Sequence, residues 1–139
     1  MTPFVIDASA LVEYFFRTPR AKTFAPFIES PESDLHVPEL AYVEFASAAV
    51  RLLIRRVATP DRVSEALTDL ADLRISRHGH FALLPRMISL RENFSVYDAV
   101  YVALAESIGA TFVTADDKLA TAVRAHTKVR LGAYPSRST

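Results

Sequence analysis

The chain contains no cysteine. That one absence excludes disulfides, zinc–thiolate centres and thiol nucleophiles together. Net charge is also missing, since 16 basic residues balance 16 acidic ones. Bulk charge therefore gives no attraction to nucleic acid, while a local basic strip beside an acidic site stays compatible with the balance. Histidine is sparse: His36, His78, His80 and His126 form no HExxH pairing, and His78-Gly79-His80 reads as loop rather than as a metal-binding fragment. No basic leader opens the sequence, and its first apolar run is broken by Asp7 and Glu13. Neither a secretion signal nor a membrane span is expected, and the cytoplasm is the expected compartment. There is no internal repeat and no linker.

What is present suffices for a core. With 139 residues, half of them hydrophobic, the chain makes one domain and not two. Residues 1–134 are expected to form it, followed by a loose tail at 135–139. The organising stretch is FVIDASALV, from Phe4 to Val12. Phe4-Val5-Ile6 has no polar break, as fits a strand buried on both faces of a parallel sheet. Asp7 then stands at the strand's carboxyl end, where open α/β sheets place ligands. Ser9 is the expected N-cap of the next helix; capping is the alternative role for Asp7.

Further along, helices are expected over residues 10–16, 21–28 (distorted near Pro26) and 39–56, the last entered through Pro38. Others follow over 61–71 behind Thr59, over 81–91 with an interruption at Pro85, over 95–108 before Gly109, and from about Asp116. Strands are expected at 35–37, 73–76, 111–114 and 129–131. The alternation implies a three-layer α/β/α domain around a central, mainly parallel sheet.

Three more carboxylates occupy places that resemble that of Asp7. Glu44 is the only charge between Leu40 and Val50, a run apolar or small nearly all the way round. Such a helix is buried by its neighbours or by a second subunit. A bare buried charge is costly, so Glu44 must be paired (Arg51 is one candidate), protonated or bound to a metal. Asp98 opens another apolar helix, and with Ser95 it has the spacing of a capping box. Asp116 follows a buried strand, as Asp7 does. Thr114 with Asp117 makes the better capping pair there, which assigns Asp117 to the cap and leaves Asp116 for chemistry.

Four such carboxylates are expected to meet at one sheet edge. Two like charges ~6 Å apart repel by about 3 kcal/mol at an effective dielectric near 20. Several such pairs rival the whole stability of a domain, roughly 5–15 kcal/mol. The cluster must hold protons or cations, and oxygen ligands without sulfur or imidazole suit Mg²⁺ or Mn²⁺. The matching chemistry is phosphodiester hydrolysis by a metal-activated water.

Four segments in order, VIDASALV, VPELAYVEFASAAV, SVYDAVYVALAE and FVTADDKL, resemble PIN-domain proteins, specifically the VapC-type ribonuclease toxins of type II toxin–antitoxin pairs. The resemblance covers essentially the whole chain. It implies a PIN-like fold and places the catalytic, metal-binding acids on Asp7, Glu44, Asp98 and Asp116. Ser9 and Thr114 match the family's supporting hydroxyls, with Asp117 alongside. Where many relatives have Asn three residues after the Glu, this chain has Ser47. Also implied are a Mg²⁺- or Mn²⁺-dependent endoribonuclease acting on RNA, a homodimer, and silencing by a VapB-type antitoxin laid across the first helices. Tyr14, Phe15, Phe16, Phe24 and Phe27 suit such a groove as well as they suit a core. Arg17, Arg20, Lys22, Arg51, Arg55 and Arg56 are candidates for RNA phosphates.

The competing reading is a non-catalytic metal-binding or phospho-acceptor regulatory module of α/β fold. Lys118 is the only lysine close to the acids, and the first strand does not end in tandem acids. A haloacid-type phosphatase would need a second Asp where Ser9 stands.

Overall fold

The computed structural model of the chain describes residues 1–132. At its centre lies β1 (Thr2–Ile6), paired on one side with β2 (Ser33–Pro38) and on the other with β4 (Thr111–Val113). The edges are β3 (Ser76–His78) and β5 (Leu131–Gly132), giving the order β3-β2-β1-β4-β5 with every pairing parallel. Val5, Ile6, Phe112 and Val113 are fully buried, because a central parallel strand is covered on both faces. The chain builds outward from β1 to β3, then returns to the other side of β1. The crevice beyond the carboxyl ends of β1 and β4 is therefore the topological switch point.

Helices cover the sheet. α1 (Ala8–Phe15) packs against α2 (Ala21–Glu29), α3 (Leu40–Ile54) and α4 (Pro60–Asp72). A second group contains α5 (Leu84–Ser89) and α6 (Val96–Ile108), with α6 lying against β1, β2 and β4. α7 (Asp117–His126) contacts β5. Several ends follow from local chemistry. Thr59 accepts the Arg62 amide at the start of α4, and Ser95 accepts the Asp98 amide at the start of α6. Gly109 closes α6 at φ +66°, a left-handed conformation that side chains with a Cβ disfavour. Pro26 is carried inside α2.

The structure corrects several expectations. Asp7, not Ser9, is the N-cap of α1: its side chain accepts the Ala10 amide, and Ser9 lies inside the first turn. Pro38 is the last residue of β2 rather than the entry to α3. The strand expected at 73–76 begins only at Ser76, because α4 runs to Asp72 and Leu73 still caps it. The expected helix over 81–91 is a 3₁₀ turn, Phe81–Leu83, followed by the short α5; Pro85 sits in its first turn, where a missing N–H is tolerated. The final strand is Leu131–Gly132 rather than 129–131.

α3 is buried on one side only. Ala41, Phe45 and Ala49 face the core, whereas Val43 is 66% and Ile54 75% exposed, so neighbours in this chain do not cover it all round. The tail expected at 135–139 lies outside the described residues. Among those that are described, no helix is long and apolar enough to cross a membrane.

Candidate active site

β1 and β4 end side by side, with Ile6 level with Val113. One step further, the Asp7 amide donates to the Val113 carbonyl at 3.1 Å, and the Asp7 side chain meets that of Thr114. The carboxylate is only 4% exposed and accepts three hydrogen bonds. Ser9 Oγ donates to Oδ1 at 2.6 Å, the Ala10 amide donates to Oδ1 at 3.1 Å, and Thr114 Oγ1 donates to Oδ2. Burial outweighs those donors and, with the neighbouring Asp116 charge, lifts the Asp7 pKa to about 6.

The two hydroxyls also tie down the β4–α7 loop. Ser9 Oγ accepts the Ala115 amide at 2.9 Å, and Thr114 Oγ1 accepts the Asp116 amide at 3.0 Å. Asp116, not Asp117, caps α7, with Oδ1 accepting the Leu119 amide at 3.1 Å. The cap expected from Asp117 thus falls to Asp116, which lines the cleft as well. Asp117 is not among the residues lining the cleft; it faces Arg20, 3.6 Å from Nη2, while Arg20 Nη1 donates to the Ala115 carbonyl at 2.9 Å.

Asp7, Glu44, Asp98 and Asp116 line one cleft of about 350 Å³. They feel one another electrostatically. Burial raises the pKa of Asp98 and the Asp116 charge raises it further, against a lowering hydrogen bond from Ser95. Burial likewise raises Glu44, helped by the Asp98 charge and opposed by the Tyr101 hydroxyl. Asp7 and Asp116 are caps, and Asp98 donates its amide to the capping Ser95, yet all three line the same space. The arginine partner considered for Glu44 is not there: Arg51 donates instead to Ser47 Oγ at 3.1 Å, and it lines the cleft as a cation.

Two lining residues escaped the sequence reading. Tyr101, 2% exposed, donates its phenol hydrogen to Glu44 Oε1 at 2.5 Å and accepts the Ala8 amide at 3.4 Å. The available signal was its place one turn after Asp98 on the same helix face. Glu13 adds a fifth acid at the rim and accepts a bond from Thr18.

The donor set fits a hard cation. It offers carboxylate and hydroxyl oxygens, no sulfur, and no arginine or lysine ion pair to any of the four acids among the described residues. Among these residues no three Asp, Glu or His side chains form a ready-made group around a single point. The fit is therefore to an ion that keeps several of its waters, the usual habit of Mg²⁺. A larger cleft, about 490 Å³, lies between α1, α2 and α4 and holds none of the four acids.

Three of the four histidines make structural contacts. His36 Nε2 pairs with Asp34 Oδ2 at 2.8 Å, and its Nδ1 meets His78 Nε2 at 2.9 Å. His80 Nε2 accepts the Leu40 amide at the start of α3.

The PIN domain family model matches residues 4–124. Ribonuclease VapC3 of Mycobacterium tuberculosis is 34% identical over 118 residues, 85% of each chain. Ribonuclease VapC9 of the same organism is 35% identical over 120 residues, covering 83% of this chain and 87% of its own. Among solved structures, VapBC2 from Rickettsia felis, bound to a DNA fragment from its promoter, superposes with a TM-score of 0.65 at 12% identity, covering 94% of this chain and 97% of that one. That likeness concerns the fold. With a parallel sheet whose switch point is lined by acids from four separate segments, and with relatives matched over most of their length, this chain belongs to the PIN-domain family, in its VapC group.

Proposed function

We propose that the chain is a divalent-metal-dependent endoribonuclease, the toxin of a type II toxin–antitoxin pair. The observation that carries the reading is the convergence of Asp7, Glu44, Asp98 and Asp116 on one cleft, with no basic ion-pair partner among the described residues. These four would hold Mg²⁺ or Mn²⁺. When bound, the ion supplies Lewis-acid stabilisation of a phosphodiester and makes a water acidic enough to attack it.

The chain's own residues do the rest. Ser9 and Thr114 fix the direction of the Asp7 carboxylate, and Asp116 is fixed by the loop those hydroxyls hold. Arg51, on the wall of the cleft, offers a guanidinium to a backbone phosphate, and Arg20 stands beside the β4–α7 loop. The names of the VapC3 and VapC9 relatives, both ribonucleases, support RNA as the substrate.

Two protein partners belong to the same proposal. A VapB-type antitoxin would occupy the larger cleft, where Tyr14, Phe15 and Leu73 give apolar surface and Arg17, Lys22 and Asp69 give charge. A second copy of the chain would cover the exposed stripe Val43, Val50 and Ile54 on α3, which recurs at helical spacing. The cytoplasm, where RNA is translated, is the proposed compartment.

The direct test incubates the protein with RNA and Mg²⁺ or Mn²⁺. Cleavage should yield 3′-hydroxyl ends, and Asp98→Asn should abolish it while circular dichroism stays unchanged. Cyclic phosphate ends, or full activity in the variant, would refute the mechanism. The alternative, a phospho-acceptor module, would become covalently phosphorylated on one of the cleft carboxylates, a reaction that the nuclease reading does not include. Acetyl phosphate should therefore leave no aspartyl phosphate on the protein.

A further inference from the structure

Tyr101 joins three of the four acid-bearing segments through a single hydroxyl. It stands on α6, three residues after Asp98. Its hydrogen goes to Glu44 Oε1 on α3 at 2.5 Å, and its oxygen accepts the amide of Ala8, the residue directly after Asp7, at 3.4 Å. The ring is buried and packs against Phe112 of β4, with centroids 5.8 Å apart. The phenol thus sits on a buried ring held against the sheet. Glu44 has no such anchor of its own. It lies on the half-buried side of α3, and its side chain has enough torsions to swing along the helix. A phenol carries its proton at neutral pH, so the hydroxyl donates to the Glu44 carboxylate.

We propose that Tyr101 is a positioning residue for the cleavage reaction, holding Glu44 in the acidic cleft and locking α3 to the start of α1 through one hydroxyl. This rests on the endoribonuclease reading above. Tyr101 is assigned no contact with RNA; it acts by fixing which way the Glu44 carboxylate points. Groups that orient metal-binding side chains in this way commonly change metal affinity or activity by about 10–100-fold.

Tyr101→Phe tests the idea, because it removes the hydroxyl and keeps the ring against Phe112. Mn²⁺ binding, read by electron paramagnetic resonance without any substrate, should weaken about tenfold or more. In cleavage assays kcat should fall by a similar factor while KM for RNA stays near the wild-type value. The same substitution made in a Glu44→Ala background should add nothing to the loss of Mn²⁺ affinity, since the hydroxyl then has no carboxylate to hold. Additive losses would point to general packing and overturn the proposal, as would unchanged Mn²⁺ affinity in the single variant, or loss of its fold by circular dichroism. A wild-type protein that neither binds Mn²⁺ nor cuts RNA would instead overturn the parent reading, and the role of Tyr101 with it.

Discussion

Thr114 Oγ1 donates its hydrogen to Asp7 Oδ2 and at the same time accepts the Asp116 amide at 3.0 Å. One hydroxyl thereby couples the ends of the two adjacent central strands and sets the spacing of two of the acids. Replacing it with Val keeps the β-branched shape but leaves a buried carboxylate oxygen and a backbone N–H without that partner. Thr114→Val should cost about 1–3 kcal/mol of stability, the scale for an unsatisfied buried group, and should abolish most cleavage. Thr114→Ser keeps the hydroxyl and should retain both. Urea unfolding of the two variants beside a cleavage assay checks this.

Asp7 carries a cost that its proposed role explains. Its pKa of about 6 lies above the ordinary carboxylate value, with burial the main cause. The folded protein therefore holds the proton more tightly than the unfolded chain does. Stability from this group is full below about pH 4 and is lost as pH rises through about 6. Asp7→Asn can keep accepting the Ser9 and Ala10 bonds without a charge to desolvate. The variant should be more stable than wild type at pH 7, by up to about 3 kcal/mol, and inactive. Its advantage should shrink towards pH 4, which denaturation midpoints across that range measure.

Cation binding should stabilise the fold, because like charges meet in the cleft. A ligand of the folded state at a hundred times its Kd adds about 2.7 kcal/mol, several degrees in Tm for a chain of this size. Titrating Mg²⁺ or Mn²⁺ into the wild type should raise Tm, and EDTA should reverse it. Asp98→Asn removes one of the repelling charges and one of the ligands. It should start at a higher Tm without metal and respond less. An equal metal response in wild type and variant would remove Asp98 from the ion-binding set.

The histidine chain at the sheet edge gives the opposite pH slope. Burial first, then the charge of His36, lowers the pKa of His78, with Asp34 opposing. The folded state binds this proton less readily than the unfolded one, so its contribution is complete above the unfolded value near 6.5 and is lost as pH falls below it. His78 Nε2 meets His36 Nδ1 at 2.9 Å across β2 and β3, so the loss falls on that strand pair. Hydrogen exchange should report faster opening of β3 at pH 5.5 than at pH 7.5, and His78→Gln should flatten the difference.

Much of this molecule was determined by sequence alone. The apolar run ending in Asp7, and the short one at Phe112-Val113 before Asp116, specify central parallel strands, since burial on both faces favours them. Ser95 and Gly109 bound α6 through their own capping chemistry, and a carboxylate amid the apolar run around Glu44 requires a partner wherever the helix lies. Tertiary structure alone decided which partner. Capping at Asp7 rather than Ser9, and at Asp116 rather than Asp117, depends on how each strand exits the sheet, and neighbouring residues with equal capping chemistry do not encode that direction. The core side of α3 depends on which helices reach it. Tyr101 reads in the sequence as one more apolar-helix aromatic; its oxygen acquires a role only because folding brings a residue 57 positions away to within 2.5 Å. Hydrophobic pattern picks out the central strands, whereas the buried side of a helix such as α3 and the polar contacts of a buried group follow from three-dimensional proximity that no local pattern contains.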